Sequence, residues 1–340
     1  MGEGNILGKE LLKELELCGL NRRDFLKYCS LTAAILGLSE LEFVTKVAEA
    51  LESPSKKPIV IWIEGQACAG CTIALAQISY PSAASIILDK ISLRYHHTIM
   101  AAAGDVAEKA YHDAVKQGGY LLVVEGSIPS ADDRFHMGGG MPFRQRLEES
   151  AKNSNAILAV GACSAFGGIP RATPSKGISV SEALKRAGIT KPVVNISTCP
   201  VHPDHLAGTI LYVLVTGKIP ELDSKGRPSM YFGDARLLHD NCRRRGHFDA
   251  GEFLTDWNDP KQKDWCLFQK GCKGPVAYID CGIRRWNDGI NFCLDCGGLC
   301  QACGDPVFYD KVAPLYTAES EISKKIWAMR EDTKSKKDQV

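Results

Sequence analysis

The sequence predicts an α/β fold: a doubly wound parallel sheet followed by an irregular, cysteine-rich C-terminal domain. Three observations carry this expectation. Apolar runs alternate with amphipathic helical stretches between residues 57 and 217. That rhythm fades over 218–310, where Gly, Pro, Asn and Asp become frequent. The chain of 340 residues also holds 14 cysteines. Its length is enough for two domains with separate cores. A formal net charge of +1 gives no reason to expect nucleic acid as a partner. The thiols are too widely spaced, in too long a chain, for a small disulfide-stapled scaffold, and metal binding accounts for them better.

The elements follow in order. "PIVIWIEG" (58–65) is a continuous apolar run ending at glycine, as in a strand buried on both faces. "TIALAQI" starts a helix. "SLRYHHTIM" is a weaker strand, and "GDVAEKAYHDAVKQ" is a helix closed by Gly118 and Gly119. "YLLVVEG" (120–126) is a second buried strand, and "PFRQRLEESAKN" a helix with proline near its first turn. "AILAVGAC" with "VSEALKRAG", then "PVVNISTC" with "HPDHLAGTILYVLVTG", repeat the pair. These spacings argue for a flavodoxin-like sheet with helices on both faces. Such sheets gather functional groups at the carboxyl ends of their strands. Cys68 and Cys71 follow the first strand, Cys163 the fourth and Cys199 the fifth. Strands one, three, four and five lie side by side in a flavodoxin-like order, so these four thiols are expected to converge.

Three ligand groups emerge. Cys68, Cys71, Cys163 and Cys199 form the first. His239-x-x-Cys242 with Cys266 and Cys272 forms the second. Cys281 with the cluster Cys293, Cys296, Cys300 and Cys303 forms the third. Four thiolates suit tetrahedral zinc or a cubane iron–sulfur cluster, and spacing separates these poorly. One Cys-x-x-Cys pair with two distant single cysteines fits a bulky cluster gripped from several loops better than a zinc site. A histidine replacing one thiolate makes a cluster less negative and raises its potential. Arg243 to Arg245 follow Cys242 and read equally as a solvated loop or as a docking patch for an acidic electron partner. A segment as poor in apolar periodicity as 218–310 is expected to need metal–ligand bonds for its organisation.

The first 50 residues read as a leader. Arg22 and Arg23 precede a short apolar run from Tyr28 to Leu38, which is too short to span a bilayer. Charge followed by a short apolar stretch is an export-signal layout, and paired arginines indicate the twin-arginine (Tat) route. That route carries folded proteins, which suits a chain loaded with cofactors before export. The expected location is the periplasm or the outer face of the cytoplasmic membrane. Residues 311–340 form a charged tail, and membrane association is expected only through a partner or an uncleaved leader.

Taken in order, "EGQACAGCT", "VVEGSIP", "GACSAFGG", "STCPVHP", "HDNC", "HFDAGEF", "WCLFQKGCKGP" and "CQACGDPVFYD" resemble the small subunit of nickel–iron hydrogenases. The resemblance runs from about Pro58 to Asp310. It implies a flavodoxin-like domain (57–217) carrying a proximal 4Fe–4S cluster on Cys68, Cys71, Cys163 and Cys199. It also implies a C-terminal domain (218–310) with a distal 4Fe–4S cluster on His239, Cys242, Cys266 and Cys272. The medial cluster is implied on Cys281, Cys300 and Cys303. Many members have proline where Cys293 stands and hold a 3Fe–4S cluster there. Cys293 resembles the subgroup with a 4Fe–4S medial cluster, which leaves Cys296 spare, with 3Fe–4S as the alternative.

Further implications of the resemblance are a nickel–iron large subunit as partner in a heterodimer, an external electron carrier such as a cytochrome, and no catalytic residue in this chain. Glu125 reads equally as an interface carboxylate or as a strand-end acid bonded to backbone. Oxygen-tolerant relatives carry extra cysteines where Gly70 and Gly168 stand, so ordinary oxygen sensitivity is expected. Two other readings are the cluster-bearing subunit of a respiratory NADH dehydrogenase, which shares the N-terminal fold, and a zinc-stabilised binding protein.

Overall fold

The computed structural model describes residues 57–78, 82–306 and 308–309. The leader, with Cys18 and Cys29, and the charged tail lie outside the described residues. Contacts join Lys57–Tyr212 with the described residues from Ile219 onward into one compact unit. Val213–Lys218 belongs to a second unit, whose remainder is not described.

Five strands build the main sheet: β1 (Ile59–Glu64), β2 (Ser92–His96), β3 (Tyr120–Glu125), β4 (Ser154–Val160) and β5 (Val193–Ile196). They pair in parallel in the order β2-β1-β3-β4-β5, the flavodoxin-like order expected from the sequence. Every residue of the central β3 is buried, which explains its unbroken apolar run.

The principal helices beside this sheet are α1 (Gly70–Ala76), α2 (Gly104–Gln117), α3 (Phe143–Asn153), α4 (Gly161–Phe166), α5 (Val180–Arg186) and α6 (Pro203–Thr216). Ala107, Tyr111 and Ala114 are spaced at i, i+4 and i+7, and they turn one face of α2 into the core beside Phe143 and Leu147 of α3. Gly118, at φ +70, closes α2 as anticipated. α5 opens with a Ser-x-x-Glu box in which the Ser179 hydroxyl accepts from the Glu182 amide at 3.1 Å. Arg146 is a polar member of this core. It is 1% exposed and pairs with Glu108 and the Tyr95 hydroxyl, while its guanidinium lies 4.3 Å from the centre of the Tyr111 ring.

Beyond α6, an antiparallel pair of strands, β6 (Phe232–Leu237) and β7 (Tyr278–Ile279), anchors an otherwise irregular layer. Burial contributes more to this layer than its sequence suggests. Tyr231, Phe232, Leu238, Leu254, Leu267, Ile279, Phe292 and Leu294 form an apolar core. These residues come singly or in adjacent pairs from loops and short strands, so no periodicity marks them. Cys272 and Cys300 belong to the same core, so the predicted ligands are part of its packing. Polar ties bind the layer to the sheet. The Ser197 hydroxyl donates to the Gly304 carbonyl at 2.7 Å, and buried Arg227 joins Asp223, Asp305 and that same carbonyl. His205 Nε2 meets Asp280 Oδ1 at 2.7 Å.

Candidate metal centres

The loops after β1 and β3 pair with each other. The Gln66 amide donates to the Ser127 carbonyl at 2.9 Å, and the Ser127 amide returns to Gln66. This crossing holds Ala67 and Cys68 at the strand end. Ala69 takes the left-handed conformation (φ 57) and starts α1, so Cys71 lies in the first turn of the helix, which begins earlier than the sequence pattern suggests. Cys163 occupies the first turn of α4, and Cys199 follows β5.

These four thiols share one neighbourhood. Burial pushes the Cys71 thiol well up, and nearby Glu125, Cys163 and Cys199 push it further. Cys163 rises to about 12 through burial and the charges of Cys199 and Cys68, and Cys199 rises to about 11 through burial and Cys68. Backbone glycines make room among them. A Cβ on Gly161 (φ +85) would stand 2.5 Å from Cys71 Sγ, and one on Gly168 would stand 2.8 Å from Cys163 Sγ. The Val201 amide donates to Cys71 Sγ at 3.4 Å. Glu125 is 2% exposed, and both its oxygens are engaged within the chain. Oε1 accepts from the Cys71 amide at 3.0 Å and Oε2 from the Thr72 hydroxyl at 2.6 Å. Sequence reasoning misses Thr72 and Gly161, because neither residue type advertises a site without its neighbours.

The second group lines a single cavity. His239, Cys242, Cys266 and Cys272 surround it with Leu238, Phe268 and Arg244. Burial, then the Arg245 charge, lowers the His239 pKa to about 4, which keeps the ring in its neutral, metal-binding form. Its Nε2 is buried with no hydrogen-bond partner in the structure. A buried imidazole nitrogen is costly to leave unmet, so the cavity fits a group that accepts its lone pair. Cys266 rises to about 11 through burial and the charges of Cys272 and Cys242.

Cys281, Cys293, Cys300 and Cys303 form the third group. After burial, Cys281 feels Cys303 and Cys293, Cys300 feels Cys303 and Cys281, and Cys303 feels Cys293. Cys296 figures among the leading influences on Cys293 but not on the other three. The groups adjoin one another. Cys303 interacts with Cys199 of the first group, and Cys300 with Cys272 of the second.

All twelve described cysteines are free thiols. Among the described residues, no three or more His, Cys, Asp or Glu side chains close on a single ion. Thiols pressed together and raised by burial resist ionising unless a cation takes up their charge, and coordination deprotonates them outright. The donor sets fit a thiolate-bound metal group, an iron–sulfur cluster among them, on that ground.

The arginines after Cys242 are a solvated patch only in part. Arg244 is 5% exposed and donates to the Lys263 and Trp265 carbonyls. Arg243 pairs with Asp295, and Arg245 with Asp240 and Asp249. Their charge is largely answered within the chain, because acidic partners fold back onto them.

A parallel sheet that presents thiols at its strand ends, extended by a layer holding more of them, defines the class as an α/β electron-transfer subunit. Comparison with known proteins specifies the family. The model for the C-terminal part of the NiFe/NiFeSe hydrogenase small subunit matches residues 235–316, and that of the NADH ubiquinone oxidoreductase 20 Kd subunit matches 68–213. The uptake hydrogenase small subunit of Azotobacter vinelandii is 40% identical over 297 residues, covering 86% of this chain and 81% of the relative. The periplasmic [NiFe] hydrogenase small subunit of Solidesulfovibrio fructosivorans is 40% identical over 309 residues, covering 89% and 95%. The crystal structure of the reduced, active Ni-Fe-Se hydrogenase of Desulfomicrobium baculatum superposes with a TM-score of 0.71 at 36% identity, covering 78% of this chain and 100% of that one.

The chain belongs to the nickel–iron hydrogenase small-subunit family, whose members are the electron-transferring partners of a large subunit. The match at 68–213 reflects the N-terminal fold shared with the NADH dehydrogenase subunit, and the match at 235–316 separates this chain from it.

Proposed function

We propose that this chain binds three iron–sulfur clusters and carries electrons between the nickel–iron site of its large subunit and an external acceptor such as a cytochrome. Cys68, Cys71, Cys163 and Cys199 would hold the proximal 4Fe–4S cluster. His239, Cys242, Cys266 and Cys272 would hold the distal one, and Cys281, Cys293, Cys300 and Cys303 the medial one. When bound, the clusters supply one-electron carriers, with potentials set by ligand identity, hydrogen bonds to sulfur and burial.

The observation that carries this reading is the contiguity of the three sets. The Ser197 hydroxyl, two residues before Cys199, reaches the carbonyl of Gly304 beside Cys303, and the Lys273 amide, beside Cys272, donates to the Cys300 carbonyl at 2.7 Å, which supports a third set in touch with both others. The chain's own part is to fix those separations, to exclude water with Phe292, Leu294 and Phe308, and to direct backbone amides at sulfur, as Val201 does at Cys71. Cys293 is the proposed fourth medial ligand of the resting site, supported by its influence on the Cys281 and Cys303 thiols. Glycine at positions 70 and 168 supports ordinary oxygen sensitivity.

Export by the twin-arginine route to the periplasm, or to the outer face of the cytoplasmic membrane, is the proposed location. No helix among the described residues is long and apolar enough to cross a membrane. Iron analysis and electron paramagnetic resonance of the anaerobically purified heterodimer test the proposal. About 12 iron per small subunit is expected from three cubanes. Four iron or fewer, or zinc in their place, overturns it. Dihydrogen uptake by the nickel-free small subunit alone would contradict the assignment of chemistry to the partner.

A further inference from the structure

Cys296 has no place in the three four-ligand sets, yet the fold positions it with care. The amides of Asp295 and Cys296 both donate to the Phe292 carbonyl, at 2.9 and 3.2 Å, so residues 292–296 form one helical turn. Residues three apart on such a turn share a face, which puts Cys296 beside Cys293. The charge of one thiol registers on the other.

The turn is pinned on both sides of the pair. Phe292 and Leu294 are buried at 5% and 2%, and Asp295 pairs with Arg243 and Arg285. Gly297, at φ +77 with open space around it, ends the turn, and the Gly298 amide closes it on the Cys293 carbonyl at 2.8 Å. Both thiols are exposed, unlike Cys300, which is buried, and Cys281 and Cys303, which are intermediate. An exposed thiolate ligand is the point where solvent competes first for its iron. A second thiol on the same rigid turn is held at high effective concentration to replace it.

We propose that Cys293 and Cys296 are interchangeable fourth ligands of the medial site, so that loss of one does not open it. The exchange is redox-neutral. The Cys296 thiol gives up its proton as its sulfur–iron bond forms, and the Cys293 sulfur takes up that proton as its own sulfur–iron bond breaks. The inference rests on the reading that the medial set holds a four-iron cluster, and the experiment separates the two.

Anaerobically purified heterodimers of wild type, Cys293→Ala, Cys296→Ala and the double variant are compared. Alanine is used because a serine oxygen can itself ligate iron. Iron per small subunit and the oxidised-state paramagnetic resonance spectrum are measured. The expected result is full iron and no 3Fe–4S signal in wild type and both single variants. The double variant alone should lose about one iron per chain and gain that signal. If Cys293→Ala behaves like the double variant, or if Cys296→Ala does, only one thiol serves and the interchange is overturned. An unchanged double variant overturns it as well, because neither thiol would then be a ligand. A 3Fe–4S signal in the wild type instead refutes the four-iron medial reading itself, and the interchange with it.

Discussion

Gly161 shows how far a single residue can decide a site. Its φ of +85 is one that side chains rarely adopt, and a Cβ there would press to 2.5 Å from Cys71 Sγ. Gly161→Ala is therefore expected to displace Cys71 while β3 and β4 keep their pairing. Iron should drop from about 12 to about 8 per small subunit, with the circular dichroism of the sheet preserved. Full iron retention would show that the helix start can yield. The cysteines and His239 are legible in the sequence because their residue type and spacing carry the chemistry. Gly161 and Thr72 are not, because their roles depend on which neighbours the fold brings to them. Arg244 escapes a sequence reading for a similar reason, since a run of three arginines gives no sign that the middle one is buried.

At the level of elements, the alternating half of the chain is readable almost throughout. Its central strands β1 and β3 are buried on both faces, and α2 carries one apolar stripe, so local pattern and final environment agree. The irregular layer is opaque, because its core residues are scattered over loops and two short strands. That layer also carries eight of the twelve described cysteines, two of them inside its core. Removing iron should leave raised, crowded thiols in the place of bonds that tie loops together. The expected outcome is local. After anaerobic iron chelation, hydrogen exchange should quicken across 238–303, while amides of β1, β3 and β4 stay protected. Uniform quickening through the sheet would show instead that the two layers stand or fall together.

For the whole molecule, pH acts through buried imidazoles. His202 is 2% exposed. Its Nε2–H donates to the Arg285 carbonyl at 2.6 Å, and its Nδ1 accepts from the Asp204 amide. Burial, then the neighbouring His205, lowers its pKa to about 3, and burial lowers that of His96 to about 4. Below the ordinary value of 6.5 the unfolded chain takes up protons that the folded chain refuses. Stability that is complete above about pH 6.5 is therefore lost as pH falls toward about 4, at about 1.4 kcal/mol per unit for each such group. The apparent melting temperature of the heterodimer should decline over that window. His202→Gln, which keeps the donor to Arg285, should make the decline shallower. An unchanged slope would assign the acid sensitivity elsewhere.

The tie between Ser197 and the Gly304 carbonyl, with Cys303 beside Cys199, has a further consequence for biogenesis. The strand-end site built by the first half of the chain receives its last wall from Cys303 and Gly304. A ribosome that has completed all five strands has still made only an open basin there. The wall that residues 303 and 304 supply cannot close over that edge before they are made and docked against Ser197.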